Sequence, residues 1–201
     1  MAQSAIKLVI ASNNQHKVNE IRESAPPGFI FSTLNENNFT MELPETTGTI
    51  NGNALQKART FWKLTGLNCL ADDSGLIIHA LDGRPGVDSA FYAGLPRNDS
   101  ANINKVLTEL IEMKDRSAYF ITIMALIING KEHIFEGVIK GNIANSPIGD
   151  HGFGYDPIFI PDGENRTFAQ MSSLEKNAMS HRSRALRLVV KFLEEQLHKD
   201  E

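Results

Sequence analysis

Apolar residues in this chain come in short β-rich runs closed by polar turn formers, interleaved with stretches where they recur every three or four positions. Ile6-Lys7-Leu8-Val9-Ile10-Ala11 predicts a strand, and Ser12-Asn13-Asn14 behind it is turn and N-cap material. Val18 and Ile21 then share one helical face before Pro26-Pro27-Gly28 stops it. Phe29 to Leu34 predicts a second strand. Leu43-Pro44-Glu45-Thr46-Thr47-Gly48 cannot lie inside a helix. Thr49 or Asn51 can cap the helix that follows, which turns Ile50, Ala54, Ala58, Phe61 and Trp62 toward a core and ends at Gly66. The run Leu67-Asn68-Cys69-Leu70-Ala71 reads as a buried strand leaving the core, halted by Asp72-Asp73-Ser74-Gly75, with Leu76-Ile77-Ile78 returning as a strand and Asp82-Gly83-Arg84-Pro85-Gly86 turning tightly.

In the second half, Ile103, Val106, Leu107, Leu110 and Ile111 mark an amphipathic helix, with Asn98, Asp99 or Ser100 as its cap. Ala118 to Ile128 and Ile134 to Ile143 are β-branched runs around Asn129-Gly130, the strongest short-range hairpin signal. A glycine-rich loop with two aromatics, Gly149 to Pro157, follows. Ser172-Ser173-Leu174-Glu175 fits a capping box, and Ala185, Leu188, Val189, Phe192 and Leu193 recur as on a terminal helix.

Composition narrows what such a chain can do. With 201 residues it can bury one substantial core or two small lobes. A net charge of −4 argues against a duplex nucleic-acid binder, so an anionic ligand must meet a local basic cluster. The single cysteine, Cys69, allows no internal disulfide and sits in an apolar run as core filling, natural in a reducing compartment. The longest apolar run, Phe120 to Ile128, is too short to span a bilayer, and the expected location is cytoplasmic.

Four features carry candidate chemistry. Backbone N–H groups at the first helix start, with Lys17 one turn in, can receive phosphate, although the glycines and Lys-Ser/Thr of a Walker loop are missing and most strand-turn-helix units bind nothing. Asp72 and Asp73 stand where a strand leaves the core, the usual place for a ligand in open α/β sheets, although Asp-Asp-Ser-Gly also suits a plain turn. If the backbone stays extended, only one of the two faces a given cleft, and Asp73 is the candidate. Phe153 and Tyr155 can stack on a base or anchor their loop in the core. Lys176, His181 and Arg182 form a basic group in an acidic chain, while Arg184 and Arg187 suit a solvated helix face. Few carboxylates and no His/Cys ligand spacing fit Mg²⁺ better than zinc.

Together these segments resemble the inosine triphosphate pyrophosphatase, or Ham1-like, family. The matching motifs run in family order over nearly the whole chain. They are Ser12-x-Asn14-x-x-Lys17-x-x-Glu20, Leu43-Pro44-Glu45, Asn53-Ala54-x-x-Lys57-Ala58, Ala71-Asp72-Asp73-Ser74-Gly75-Leu76, Gly83-x-Pro85-Gly86, Gly152-Phe153-Gly154-Tyr155-Asp156-Pro157 and Glu175-Lys176-Asn177-Ala178-x-Ser180-His181-Arg182. The resemblance implies one two-lobed α/β domain over residues 1–201, with a long mixed β-sheet flanked by helices and a cleft between the lobes. It further implies a homodimer, Mg²⁺, and hydrolysis of ITP, dITP and XTP to monophosphate and pyrophosphate.

Carried over residue by residue, the turn Ser12, Asn13, Asn14, Gln15, His16 and Lys17 holds the triphosphate with help from Lys57. By the same resemblance Glu45 and Asp73 would hold the metal, Asp73 would also position the attacking water, and Ser74 would contact the nucleotide. Phe153 would stack on the base, Gly154, Tyr155 and Asp156 would complete that pocket, and Lys176, His181 and Arg182 would surround the purine. Donors such as Arg182 would meet a 6-oxo group and oppose the amino group of adenine. The chain departs from the family pattern at Asn13, where Gly is common, at Gly52, where Glu is frequent, at Phe91, where Arg is usual, and at Asp150-His151, where Thr-Gly often stands. Two rivals are a Maf-like nucleotide pyrophosphatase, against which the Ser-His-Arg segment speaks, and a nucleotide sensor without turnover, which has little use for metal-binding acids.

Overall fold

The computed structural model describes residues 5–197 and holds an α/β chain with a six-stranded mixed sheet in the order β2-β1-β3-β4-β5-β6. The strands are β1 (Ile6–Ile10), β2 (Phe29–Thr33), β3 (Cys69–Ile78), β4 (Ser117–Ile128), β5 (Lys131–Ile143) and β6 (Phe159–Pro161). The helices are α1 (Gln15–Glu23), α2 (Ile50–Thr65), α3 (Asp99–Glu109), α4 (Ser173–Met179) and α5 (His181–Leu197). β1 runs parallel to both β2 and β3, whereas β5 and β6 are antiparallel. Asn129 and Gly130 both adopt left-handed backbone (φ 51° and 76°), which is what a two-residue type I′ turn between β4 and β5 requires.

The chain forms two compact units. Unit 1 takes the described parts of Met1–Asp73, Thr122–Gly137 and Arg182–Glu201, and unit 2 takes Ser74–Ile121 and Val138–His181. In unit 1, Leu8, Ile10, Leu70, Met124 and Leu126 from the strands share a core with Val18 and Ile21 of α1 and Ala185, Leu186, Val189 and Leu193 of α5. α2 serves the opposite strand face, where the Cys69 thiol lies 3.5 Å from the Ala58 carbonyl oxygen. Burial pushes that thiol up to about 12, so Cys69 is inert filling, as its apolar run suggested. In unit 2, Leu76, Ile78, Phe120, Ile139, Phe159 and Phe168 pack with Ile103 and Val106 of α3.

Four details differ from the sequence pattern. Asp72-Asp73-Ser74-Gly75 is not a turn between two strands: β3 continues through it for ten residues. Its carboxylates are compensated by charged neighbours, so the ladder need not break there. Trp62 is 37 % exposed instead of inward, lying against Gly130, where an added Cβ would meet its ring at 3.3 Å. Ile111 falls beyond the end of α3 and is exposed. On α5 Leu186 takes the buried place expected of Leu188, which is exposed. Strand β6 carried no pattern long enough to be read from sequence.

Local capping sets the ends of α2 and α4. The Thr49 hydroxyl accepts from Gly52 N at 3.0 Å, and Gly66 closes α2 in left-handed conformation at φ 69°. Ser172 and Glu175 form a reciprocal capping box on α4. Nothing lies within 4 Å of a Cβ built on Gly66, so the cost of a side chain there is purely conformational. Gly66→Ala is therefore expected to lose about 1 to 2 kcal/mol in urea unfolding, with Gly66→Asn losing less.

Candidate active site

Strand alternation decides which way each acid of the Asp-Asp pair faces. Leu70 packs with α1 and α5, Cys69 meets α2, and side chains two apart share a face. Asp72 therefore belongs to the α1/α5 face and Asp73 to the α2 face. Their partners follow suit. Arg182, at the start of α5, donates from Nε to Asp72 Oδ2 at 3.2 Å and pairs through Nη1 with Glu20 of α1. Lys57 of α2 approaches Asp73 Oδ1 at 3.8 Å. Lys17, in the first turn of α1, reaches both acids, at 3.3 Å from Asp72 Oδ2 and 3.9 Å from Asp73 Oδ1.

Burial divides the two acids further. Asp72 is fully buried; burial alone would raise its pKa, but Lys17, Arg182 and Lys57 outweigh it and hold the carboxyl well below the usual range. Asp73, 7 % exposed, is raised instead, because burial exceeds the pull of Lys57 and Lys17, and Glu45 and Asp72 add repulsion. Burial also lowers Lys17, with Lys57 and Arg182 crowding it against the attraction of Asp72. Arg182 is pushed the other way: burial opposes its charge, but Glu20 and Asp72 hold it firmly ionised.

Glu45 reaches this cluster from a loop. The Asn53 side-chain oxygen accepts from Thr47 N at 3.1 Å and Thr47 Oγ1 at 2.9 Å, while Gln56 exchanges bonds with Thr46 at 2.8 and 2.9 Å. These contacts pin the loop to α2, where Lys57 donates to Glu45. The motif Asn53-Ala54-x-x-Lys57-Ala58 contains Asn53, but sequence reasoning did not mark Asn53 and Gln56 as the loop's holders. The amide side chains of a helix flank facing a Thr-Thr loop were the available signal. Gly52 has its own reason to lack the frequent Glu: a Cβ there would lie 2.2 Å from Thr47 Oγ1.

At the start of α1 the side chain of Asn14 accepts from His16 N at 3.1 Å and Lys17 N at 3.3 Å, and Ser12 Oγ accepts from Asn14 N at 3.2 Å. Two of the N–H groups expected to face a ligand are therefore already capped. Asn13, Gln15 and His16 are exposed, and Ser12 is half-buried.

Unit 2 holds the remaining candidates. The Phe153 ring is half-buried and lies 4.8 Å from Lys176 Nζ, which is itself paired with Asp156 Oδ2 at 2.6 Å. Asp156 Oδ2 also accepts from Phe153 N at 2.8 Å, and a Cβ on Gly152 would come within 2.1 Å of that oxygen, so glycine is required there. Gly154 N donates to Asp99 Oδ2 at 2.8 Å, a clasp from the first turn of α3 that sequence reasoning missed. Tyr155 is buried with its hydroxyl donating to the Ser89 carbonyl at 2.9 Å, which makes it the loop's anchor. His181 is buried and stacks on Phe120 at 4.7 Å between ring centroids. Ser74 is half-buried in β3. Unit 1 thus brings together Lys17, Glu45, Lys57, Asp72, Asp73 and Arg182, and unit 2 brings together Phe153, Gly154, Tyr155, Asp156 and Lys176.

The unit 1 cluster can meet a metal–phosphate ligand. Three cations, Lys17, Lys57 and Arg182, face four carboxylates, Glu20, Glu45, Asp72 and Asp73, so the group has no surplus positive charge to offer a bare polyphosphate. Among the described residues no three acid, His or Cys side chains cluster as a complete ligand set. Two carboxylates converging on one ammonium are instead a partial donor set, suited to Mg²⁺ that takes its remaining ligands from phosphate and water.

The buried Arg182 supplies a stability test. Arg182→Leu leaves Asp72 and Glu20 without their guanidinium, so urea unfolding should show a loss of about 3 kcal/mol. Adding Asp72→Leu should recover part of that loss, because two buried charges are then gone together.

Comparison with known proteins places this architecture. The Ham1 family model matches residues 8–192. A dITP/XTP pyrophosphatase of Flavobacterium psychrophilum is 46% identical over 187 residues, covering 93% of this chain and 98% of that one. The solved Ham1 protein of Staphylococcus aureus superposes with a TM-score of 0.86 at 38% identity, covering 94% of this chain and 99% of that one. A HAM1 protein from Coxiella burnetii gives the same TM-score of 0.86 at 42% identity, over 94% of this chain and 99% of that one. With the family model spanning nearly all of the chain and the strand order carrying the motif residues into two clusters, this chain belongs to the Ham1 family.

Proposed function

We propose that this protein is a Mg²⁺-dependent nucleoside triphosphate pyrophosphatase that hydrolyses non-standard purine nucleotides, ITP, dITP and XTP, to the monophosphate and pyrophosphate. The observation that carries the reading is the convergence of Lys17, Lys57 and Glu45 on Asp73. A lone binding site for phosphate would not bring acids to its centre. The dITP/XTP pyrophosphatase name borne by the Flavobacterium psychrophilum relative supplies the substrate class.

Glu45 and Asp73 would hold the metal, which supplies neutralising charge to the phosphate oxygens when bound. Lys17 and Lys57 bind the triphosphate as mobile point charges, with the polar turn Ser12 to Lys17 beside them. Asp73 orients a water toward the α-phosphorus. As the new P–O bond forms the α–β anhydride bond breaks, pyrophosphate leaves, and the water proton passes to the Asp73 carboxylate. Asp72, locked between Lys17 and Arg182, fixes the strand that presents Asp73.

In unit 2 the half-buried Phe153 ring offers a stacking face, held by Asp156 and by the Asp99 clasp on Gly154. Lys176 and His181 stand as donors suited to a 6-oxo group, and Ser74 contacts the nucleotide. Arg182 contributes through Asp72 and Glu20, with which it pairs. The proposed enzyme is a cytoplasmic homodimer, in keeping with the family resemblance. Among the described residues no helix is long and apolar enough to cross a membrane.

The direct test offers the purified chain ITP, dITP, XTP, dUTP, GTP and ATP with Mg²⁺ and separates pyrophosphate from orthophosphate. Pyrophosphate from the first three, and little from ATP, is expected; orthophosphate as the inorganic product would refute the reaction. Asp73→Asn should lower kcat by about 100-fold or more while leaving the circular dichroism spectrum unchanged. Phe153→Ala should raise KM for dITP by about tenfold, the worth of one base–aromatic stack, with the products unaltered.

A further inference from the structure

Lys57 occupies the position in unit 1 where the two proposed metal ligands meet. Its Nζ donates to Glu45 and lies 3.8 Å from Asp73 Oδ1, and the side chain is only 4% exposed. The contact is built in, because Asn53 and Gln56 on the same helix fasten the loop that carries Glu45. Lys17 adds a second ammonium 3.9 Å from the same Asp73 oxygen. Glu45 and Asp73 are thus neutralised before any metal arrives. A divalent ion entering alone would have to displace Lys57 while offering that ammonium no other anion, and like charges this close repel strongly when partly shielded from water. Triphosphate oxygens remove the difficulty, since they provide the ammonium with a new partner as the metal takes over the carboxylates.

We propose that Lys57 is the resident counter-ion of Glu45 and Asp73 in the nucleotide-free protein, and that the divalent cation is admitted only as its complex with the nucleoside triphosphate. The proposal rests on the assignment of Glu45 and Asp73 as metal ligands. It makes Lys57 a two-position side chain, on the acids at rest and on phosphate when substrate is bound. Metal and nucleotide then bind with strong mutual dependence, which keeps the site from holding Mg²⁺ without work to do.

The experiment measures Mn²⁺ binding by water-proton relaxation, with and without a dITP analogue whose α–β bridging oxygen is replaced by methylene. It uses the full chain and the variants Lys57→Met, Lys57→Arg and Glu45→Gln, with Lys57→Gln replacing Lys57→Met if that variant does not fold. The unmodified protein should bind Mn²⁺ at least about tenfold more tightly with the analogue than without it. Lys57→Met should gain at least about tenfold in affinity for Mn²⁺ alone, and Lys57→Arg should gain nothing, since it keeps the charge. Equal Mn²⁺ binding by the unmodified protein with and without analogue overturns the proposal, as does a Lys57→Met variant no better than the parent. If Glu45→Gln leaves binding of the Mn²⁺–analogue complex unchanged, the metal assignment itself fails, and the proposal falls with it.

Discussion

The arrangement depends on one constraint: two adjacent carboxylates on an extended strand must face opposite ways. In β3 that constraint gives Asp72 to α1 and α5 and Asp73 to α2, so two residues of identical chemistry receive different surroundings. Asp72 is enclosed by a guanidinium and an ammonium, which hold its carboxyl well below the usual range. Asp73 keeps a thin exposure and a raised pKa between Lys17 and Lys57. A strand carrying two acids through a buried sheet is tolerable only because both faces supply cations. Arg182 serves the Asp72 side and Lys57 the Asp73 side, while Lys17 lies within reach of both.

The same economy appears in the way loops are fixed. Glu45 sits on a segment with no regular structure, yet Asn53 and Gln56 of α2 bind its backbone and hydroxyl neighbours. Phe153 likewise sits in a glycine-rich loop held by Asp156, by the hydroxyl anchor of Tyr155 and by Asp99 reaching Gly154 N. In both loops polar side chains fix the backbone around the candidate residue, which gives a loop some of the precision of a rigid element.

Much of this was legible in the chain. The Asn129-Gly130 hairpin, the Ser172/Glu175 capping box, the Thr49 and Gly66 ends of α2 and the inert Cys69 all follow from local chemistry, and all occur. Family motifs picked out the acids and lysines of unit 1. Two kinds of information were out of reach. The continuation of β3 through Asp-Asp-Ser-Gly depends on cations from α1, α2 and α5, which turn propensity cannot register. Partners distant in sequence were also hidden: Arg182 meets Asp72 across 110 positions and Asp99 meets Gly154 across 55, and neither separation leaves a local pattern. Leu186 in place of Leu188 shows the limit of periodicity on a helix with apolar residues on several sides.

The division of labour between the two aspartates is most directly tested by comparing Asp72→Asn with Asp73→Asn for binding of the Mn²⁺ complex of the methylene dITP analogue, at a temperature where both are folded. The account predicts that Asp72→Asn binds the complex much as the unmodified chain does, although it unfolds at lower urea, and that Asp73→Asn loses the metal. Retention of the metal by Asp73→Asn together with its loss from Asp72→Asn would contradict it.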